Sequence, residues 1–133
     1  MGAINNGPTF PARSASDLSA YKHRFVKDSA GSTDKDRIVE LCDSGDVPCG
    51  ILKYGDIAGR KMEVTRLNGQ SCKLTVGGVV ALGSVVKCDT AAALGKGIAT
   101  TTDGNRYFFV AEEISTADGD VVSGYTCNAF RGA

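Results

Sequence analysis

Tryptophan is absent from this chain, histidine occurs once, as His23, and neither sign of charge is in excess, with 15 Lys and Arg against 15 Asp and Glu. Each shortage removes a class of function. Without tryptophan a common stacking platform for sugars and single-stranded nucleic acid is missing, although Tyr107, Phe108 and Phe109 remain. The even charge supplies no field that would gather nucleic acid or an anionic membrane, so neither is expected as a partner. No apolar run approaches the roughly 20 residues of a membrane-spanning helix. The N-terminal MGAINNGPTFPARS also lacks the apolar core of a signal peptide, so synthesis in a cytosol is expected.

Paired cysteine spacing is missing too. Cys42, Cys49, Cys72, Cys88 and Cys127 are odd in number, scattered, and form no CxxC. With one histidine beside them they do not make a structural zinc site, and no metal or cofactor is expected. They read instead as free thiols of a reducing compartment, with Cys72 in phase with Leu74 and Val76 as a small buried hydrophobe.

What is present divides the chain. Of 17 glycines only 3 precede residue 45. Residues 1 to 36 are rich in Ser, Asp, Lys, Asn and Pro and offer one place for a short helix, capped by Ser16-Asp17, with Leu18, Tyr21 and Phe25 at three- and four-residue spacing. Such a helix is marginal alone. These residues are expected to form an arm that orders on another surface, with Phe10, Tyr21 and Phe25 as docking anchors, because a solvated tail has little use for three aromatics; the alternative is a flexible leader or a helix packed on its own domain.

From residue 37 the pattern changes to short strands between turns. RIVELC (37–42), CGILKY (49–54), KMEVTRL (61–67), SCKLTV (71–76), SVVKC (84–88), KGIATT (96–101), RYFFVAEEI (106–114) and DVVSGYTC (120–127) carry alternating or short apolar runs. DSGDVP marks a reversal between the first two. Asn68-Gly69 predicts a hairpin between the third and fourth, and Asp103-Gly104 and Asp118-Gly119 predict further turns. Strands this short, with turn signals every eight to twelve residues and no long helix, predict an all-β fold. The expected form is a small antiparallel β-barrel, or barrel-like sandwich, over residues 37 to 133 with the N-terminal arm attached. Closure also protects the edges of a sheet rich in Val and Ile.

The residues that could carry chemistry form no complete site. Glu112 and Glu113 are adjacent, so on a strand they face opposite sides and make no carboxylate pair. Asp118-Gly119-Asp120 is too short for a calcium loop, and His23 has no GxSxG or cysteine signature beside it. Asp89-Thr90-Ala91 resembles the Asp-Thr-Gly or Asp-Thr-Ala signature of retroviral-type aspartic proteases, in which a homodimer brings two copies of one aspartate together. A charged Lys87 stands where that pattern wants an apolar residue, and Ala91 stands at its usual glycine. A strand ending in a turn explains the same residues.

In series, the elements follow a recognisable order. Gly45-Asp46-Val47-Pro48-Cys49-Gly50-Ile51-Leu52 comes first, then Gly77, Gly78, Val80, Gly83 and Val86, and finally Ala111, Glu113, Ala117, Gly119, Asp120 and Val122. About two thirds of the chain thus resembles the small capsid decoration, or cement, proteins of tailed bacteriophages and prophages. The resemblance implies a binding role without catalysis on the outer surface of a filled head. A trimer at local three-fold positions would bridge neighbouring copies of the major capsid protein. The 36-residue arm and the TTTDGNRYFF segment are departures from that pattern. The alternative functions are a homodimeric aspartic protease using Asp89 and, third, a small glycan-binding β module.

Overall fold

Alternate side chains of a strand face opposite sides, and in this chain both sides of the central strands are apolar. The structure, a computed structural model, describes residues 8–33, 36–43, 46–88 and 94–132. These residues contain ten strands and no helix: β1 (Thr9–Ala12), β2 (Phe25–Asp28), β3 (Val39–Leu41), β4 (Gly50–Leu52), β5 (Met62–Arg66), β6 (Ser71–Thr75), β7 (Val85–Cys88), β8 (Gly97–Ala99), β9 (Arg106–Ala111) and β10 (Val121–Phe130). They form two five-stranded antiparallel sheets, ordered β1-β5-β4-β2-β3 and β6-β10-β9-β7-β8.

Each sheet curls until its edges touch. In the first, the edge strands β1 and β3 lie side by side at a single parallel bridge between Arg13 and Ile38, with Arg13 N–H donating to Arg37 O at 3.1 Å and Val39 N–H to Arg13 O at 2.8 Å. In the second, Val76 at the end of β6 meets Gly97 of β8 in the same way. Neither sheet closes by a full ladder, so the architecture is a barrel-like sandwich, the second of the two forms the sequence predicts.

Two apolar cores follow from this curvature. One, inside the curl of the first sheet, holds Phe10, Ala12, Leu18, Val26, Val39, Leu52, Met62 and Val64. The other, between the sheets and within the curl of the second, holds Phe25, Ile51, Leu74, Val76, Val86, Phe109 and Val122 among others. Strands β2 and β4 are the wall between them. Phe25 and Ile51, paired across the ladder, enter the second core, while their neighbours Val26 and Leu52 enter the first. Burying a side chain of this size contributes about 1.5–3 kcal/mol, which explains why two very short strands hold the centre of the sheet.

The N-terminal part of the chain therefore differs from expectation. Residues 8–33, expected to order on another molecule, supply β1 and β2 to the chain's own first sheet, and β2 lies between β3 and β4. The division between residues 36 and 37 separates no packing units. Nor do Ser16 and Asp17 cap a helix: Asp17 Oδ1 accepts hydrogen bonds from the Ser19 N–H at 2.9 Å and the Ser19 hydroxyl at 2.6 Å, closing a local turn that competes with helical pairing. Leu18 is buried within that loop.

The Asn68-Gly69 turn is a second correction. Gly69 has the positive φ, 87°, that such a turn requires, but β5 and β6 do not pair, and the turn carries the chain from one sheet to the other. Thr126 explains the preference. Its buried hydroxyl donates to Arg66 O at 2.7 Å and accepts from the Gln70 N–H at 3.0 Å, so β10 takes up both sides of the turn.

Candidate functional site

The acidic run that ends the chain's last loop is used by its own turn. Asp120 Oδ2 accepts from the Ser115 hydroxyl and from the Thr116 and Ala117 N–H groups, each at 3.2 Å. Asp118 pairs with Lys96 at 2.9 Å. Glu113 accepts from the Ser123 N–H at 2.6 Å, and that bond holds its carboxyl below the ordinary glutamate range. Among the described residues no cluster of three or more His, Cys, Asp or Glu is placed to hold a metal ion. Asp89, Thr90 and Ala91 lie outside the described residues.

The three aromatics expected as docking anchors have two different fates. Phe10 and Phe25 are buried, the first under the guanidinium groups of Arg37 and Arg66 at 3.9 and 5.0 Å from its ring centroid, the second edge-on to Phe108 at 6.2 Å. Neither ring is open to a second molecule in this fold. Tyr21 is half-buried beside the first core, with Arg24 over its ring at 5.3 Å.

Two other surfaces stand open. The first is built on an antiparallel bridge between Val80 and Ser115, whose two N–H···O bonds are 3.1 and 2.9 Å. Both of those side chains point inward and are buried. Alternation turns the adjacent Val79 and Ile114 outward, and with Leu82 in the next turn they are 73, 69 and 69% exposed. Single exposed apolar residues are ordinary, but three of this size around one bridge form a patch. The sequence carries the signal as VVAL framed by glycines in GGVVALG, a segment read there for Gly77, Gly78, Val80 and Gly83 of the decoration-protein pattern and not as a surface.

The second is a cleft of about 400 Å³ at the junction of the two sheets. His23 organises it. Its N–H donates to Leu52 O in β4 at 2.8 Å and its carbonyl accepts from the Thr75 N–H in β6 at 2.7 Å, so its backbone joins the sheets. It does so at a φ of 58°, a conformation that non-glycine residues seldom adopt. His23 lines the cleft with Lys53 and Lys73, and Ile51, Pro8 and Cys72 add apolar lining. Burial, then the charges of Lys22 and Lys73, hold the His23 pKa below its ordinary value. Burial also pushes the Cys72 thiol up to about 12, which removes it as a nucleophile at neutral pH.

The described residues thus define a class: an all-β, two-sheet protein with an apolar knob and a cationic cleft. No family model matches the chain, and no curated protein matches it. A solved structure shares the fold: the N base of the head fiber gp8.5 of bacteriophage phi29, with a TM-score of 0.67 over 89% of this chain and 92% of that one, at 16% identity. At that identity the likeness is one of fold.

Proposed function

We propose that this protein is a structural component of a tailed-bacteriophage head, a decoration or cement protein that binds the outer surface of the shell and bridges copies of the major capsid protein, without catalysing a reaction. The observation that carries this reading is the fold shared with the phi29 head fiber base over almost the whole of both chains. The order of turn motifs from Gly45 to Val122, similar to that of capsid decoration proteins, supports it independently. A shell is stabilised by anything that binds its joined subunits better than its separated ones, and repeated copies make individually weak contacts effective. In this reading the protein acts as a homotrimer at local three-fold positions. Val79, Leu82 and Ile114 supply the apolar contact, in place of the buried Phe10 and Phe25.

The test is co-sedimentation of the full chain with purified undecorated heads of its own phage, beside a Val79→Ser, Leu82→Ser, Ile114→Ser variant. The reading expects saturable binding at a fixed ratio to the capsid subunit and at least a tenfold loss in the variant. Absence of the wild-type protein from the head fraction refutes it, while equal binding by the variant removes the apolar patch from the contact.

A further inference from the structure

We propose that the cleft beside His23 receives a second polypeptide as an added strand: an extended acidic segment of a partner protein, paired with the free edge of β6, its carboxylate held among Lys53, Lys73 and His23. The inference goes beyond the head role, and it rests on different residues from the apolar patch.

The backbone carries the first half of the argument. β6 is an edge of the second sheet, with β10 on its other side. The Thr75 N–H turns away from β10, since it donates to His23 O. Backbone groups of a strand repeat their direction every two residues, so the N–H and C=O of Lys73 and Ser71 face the same way, along the cleft. His23 itself occupies the first place on this edge. Among the described residues no backbone hydrogen bond reaches the next two places, which suit an extended segment in the manner of strand addition.

Charge carries the second half. Among the described residues that line the cleft none is Asp or Glu, while two lysines and the one histidine of the chain are there. Lys53 also reaches Glu63 at 3.6 Å, an exposed pair of the kind that adds little and that an incoming carboxylate can displace. The apolar lining argues against a bare inorganic anion and for a carboxylate carried on an apolar body. The volume lies in the lower part of the roughly 300–1,000 Å³ typical of ligand sites. An Asp or Glu side chain flanked by apolar residues on a strand meets both conditions.

The test is a nuclear magnetic resonance titration of the full chain with a blocked pentapeptide, Val-Glu-Val-Glu-Val, with the corresponding Gln peptide, and with sodium acetate at matched ionic strength. The proposal expects the Glu peptide to shift both the His23 ring protons and the Lys73 amide, with an affinity at least tenfold above that of the Gln peptide. A Lys53→Gln, Lys73→Gln double variant, altered only at exposed positions, should bind the two peptides equally. An unmoved Lys73 amide at saturating Glu peptide, or equal affinity of the wild-type protein for both peptides, overturns the proposal. So does acetate alone reproducing every shift, which would make the cleft a site for a small anion.

Discussion

Arg13 holds Asp36 by a two-pronged contact, Nε to Oδ1 at 2.9 Å and Nη2 to Oδ2 at 2.6 Å, across 23 residues of chain. The pair lies where the two edges of the first sheet meet, beside the bridge from Arg13 to Ile38. A bidentate guanidinium contact fixes direction as well as distance, so it adds a side-chain tie to the backbone bonds at this seam.

Acid should loosen this seam. The bond from Arg13 is the main cause that holds the Asp36 carboxyl below the ordinary aspartate range, and Lys27 does the same for Asp46. A carboxyl whose pKa is lower in the folded than in the unfolded chain adds stability that is fully present above the unfolded value, near 4. That stability is lost as pH falls through the folded value. His23 acts in the same sense at higher pH, because its lowered pKa makes protonation easier in the unfolded chain once pH falls below about 6.5. Thermal unfolding between pH 7 and pH 3 should show a falling midpoint, with the slope below pH 4 reduced in Asp36→Asn.

Phe10 and Phe25 should behave as core residues. Each →Ala change should lower stability by about 3–5 kcal/mol in urea unfolding, since Phe10 fills the first core and Phe25 the second. Deleting residues 1 to 36 removes β1 and β2 and should unfold the chain. Circular dichroism of the deletion distinguishes this from a detachable arm, which would leave the β signal intact.

Thr126 should be sensitive despite its small size. Thr126→Val keeps the shape but leaves Arg66 O and the Gln70 N–H without their buried partner. The expected cost is about 1–3 kcal/mol, read from the denaturation midpoint. A Thr126→Ser change, which keeps the hydroxyl, should cost less.

The thiols should resist modification while the protein is folded. Burial pushes Cys49 up to about 12 and Cys127 up to about 11. The hydrogen bond with Cys88 inside the second core, and then burial, raise Cys42 as well. A thiol-exchange reagent at pH 8 should react slowly with the native protein and release five equivalents once denaturant is added.

The eight strands from residue 37 on were legible because each carries its own period or apolar run, as in MEVTR and SCKLT. Their partners were not, since alternation records which face is buried and says nothing about which strand lies alongside. Asn68-Gly69 encodes a tight turn equally well within a sheet or between two sheets, and only the distant Thr126 decides. TFPA and FVKD are too short to show a period, and Pro11 in β1 reads as a break, although on an edge strand its missing N–H is tolerated. The cleft was hidden for the same reason: Lys53, Lys73 and His23 line one cleft only once both sheets are folded.

The head role is tested most directly by imaging phage heads by electron cryomicroscopy after incubation with the purified chain, with its solution mass measured alongside. The account predicts ordered density outside the shell at symmetry-related positions, bridging neighbouring capsid subunits, and a trimeric mass. Heads that remain bare at saturating protein would contradict it.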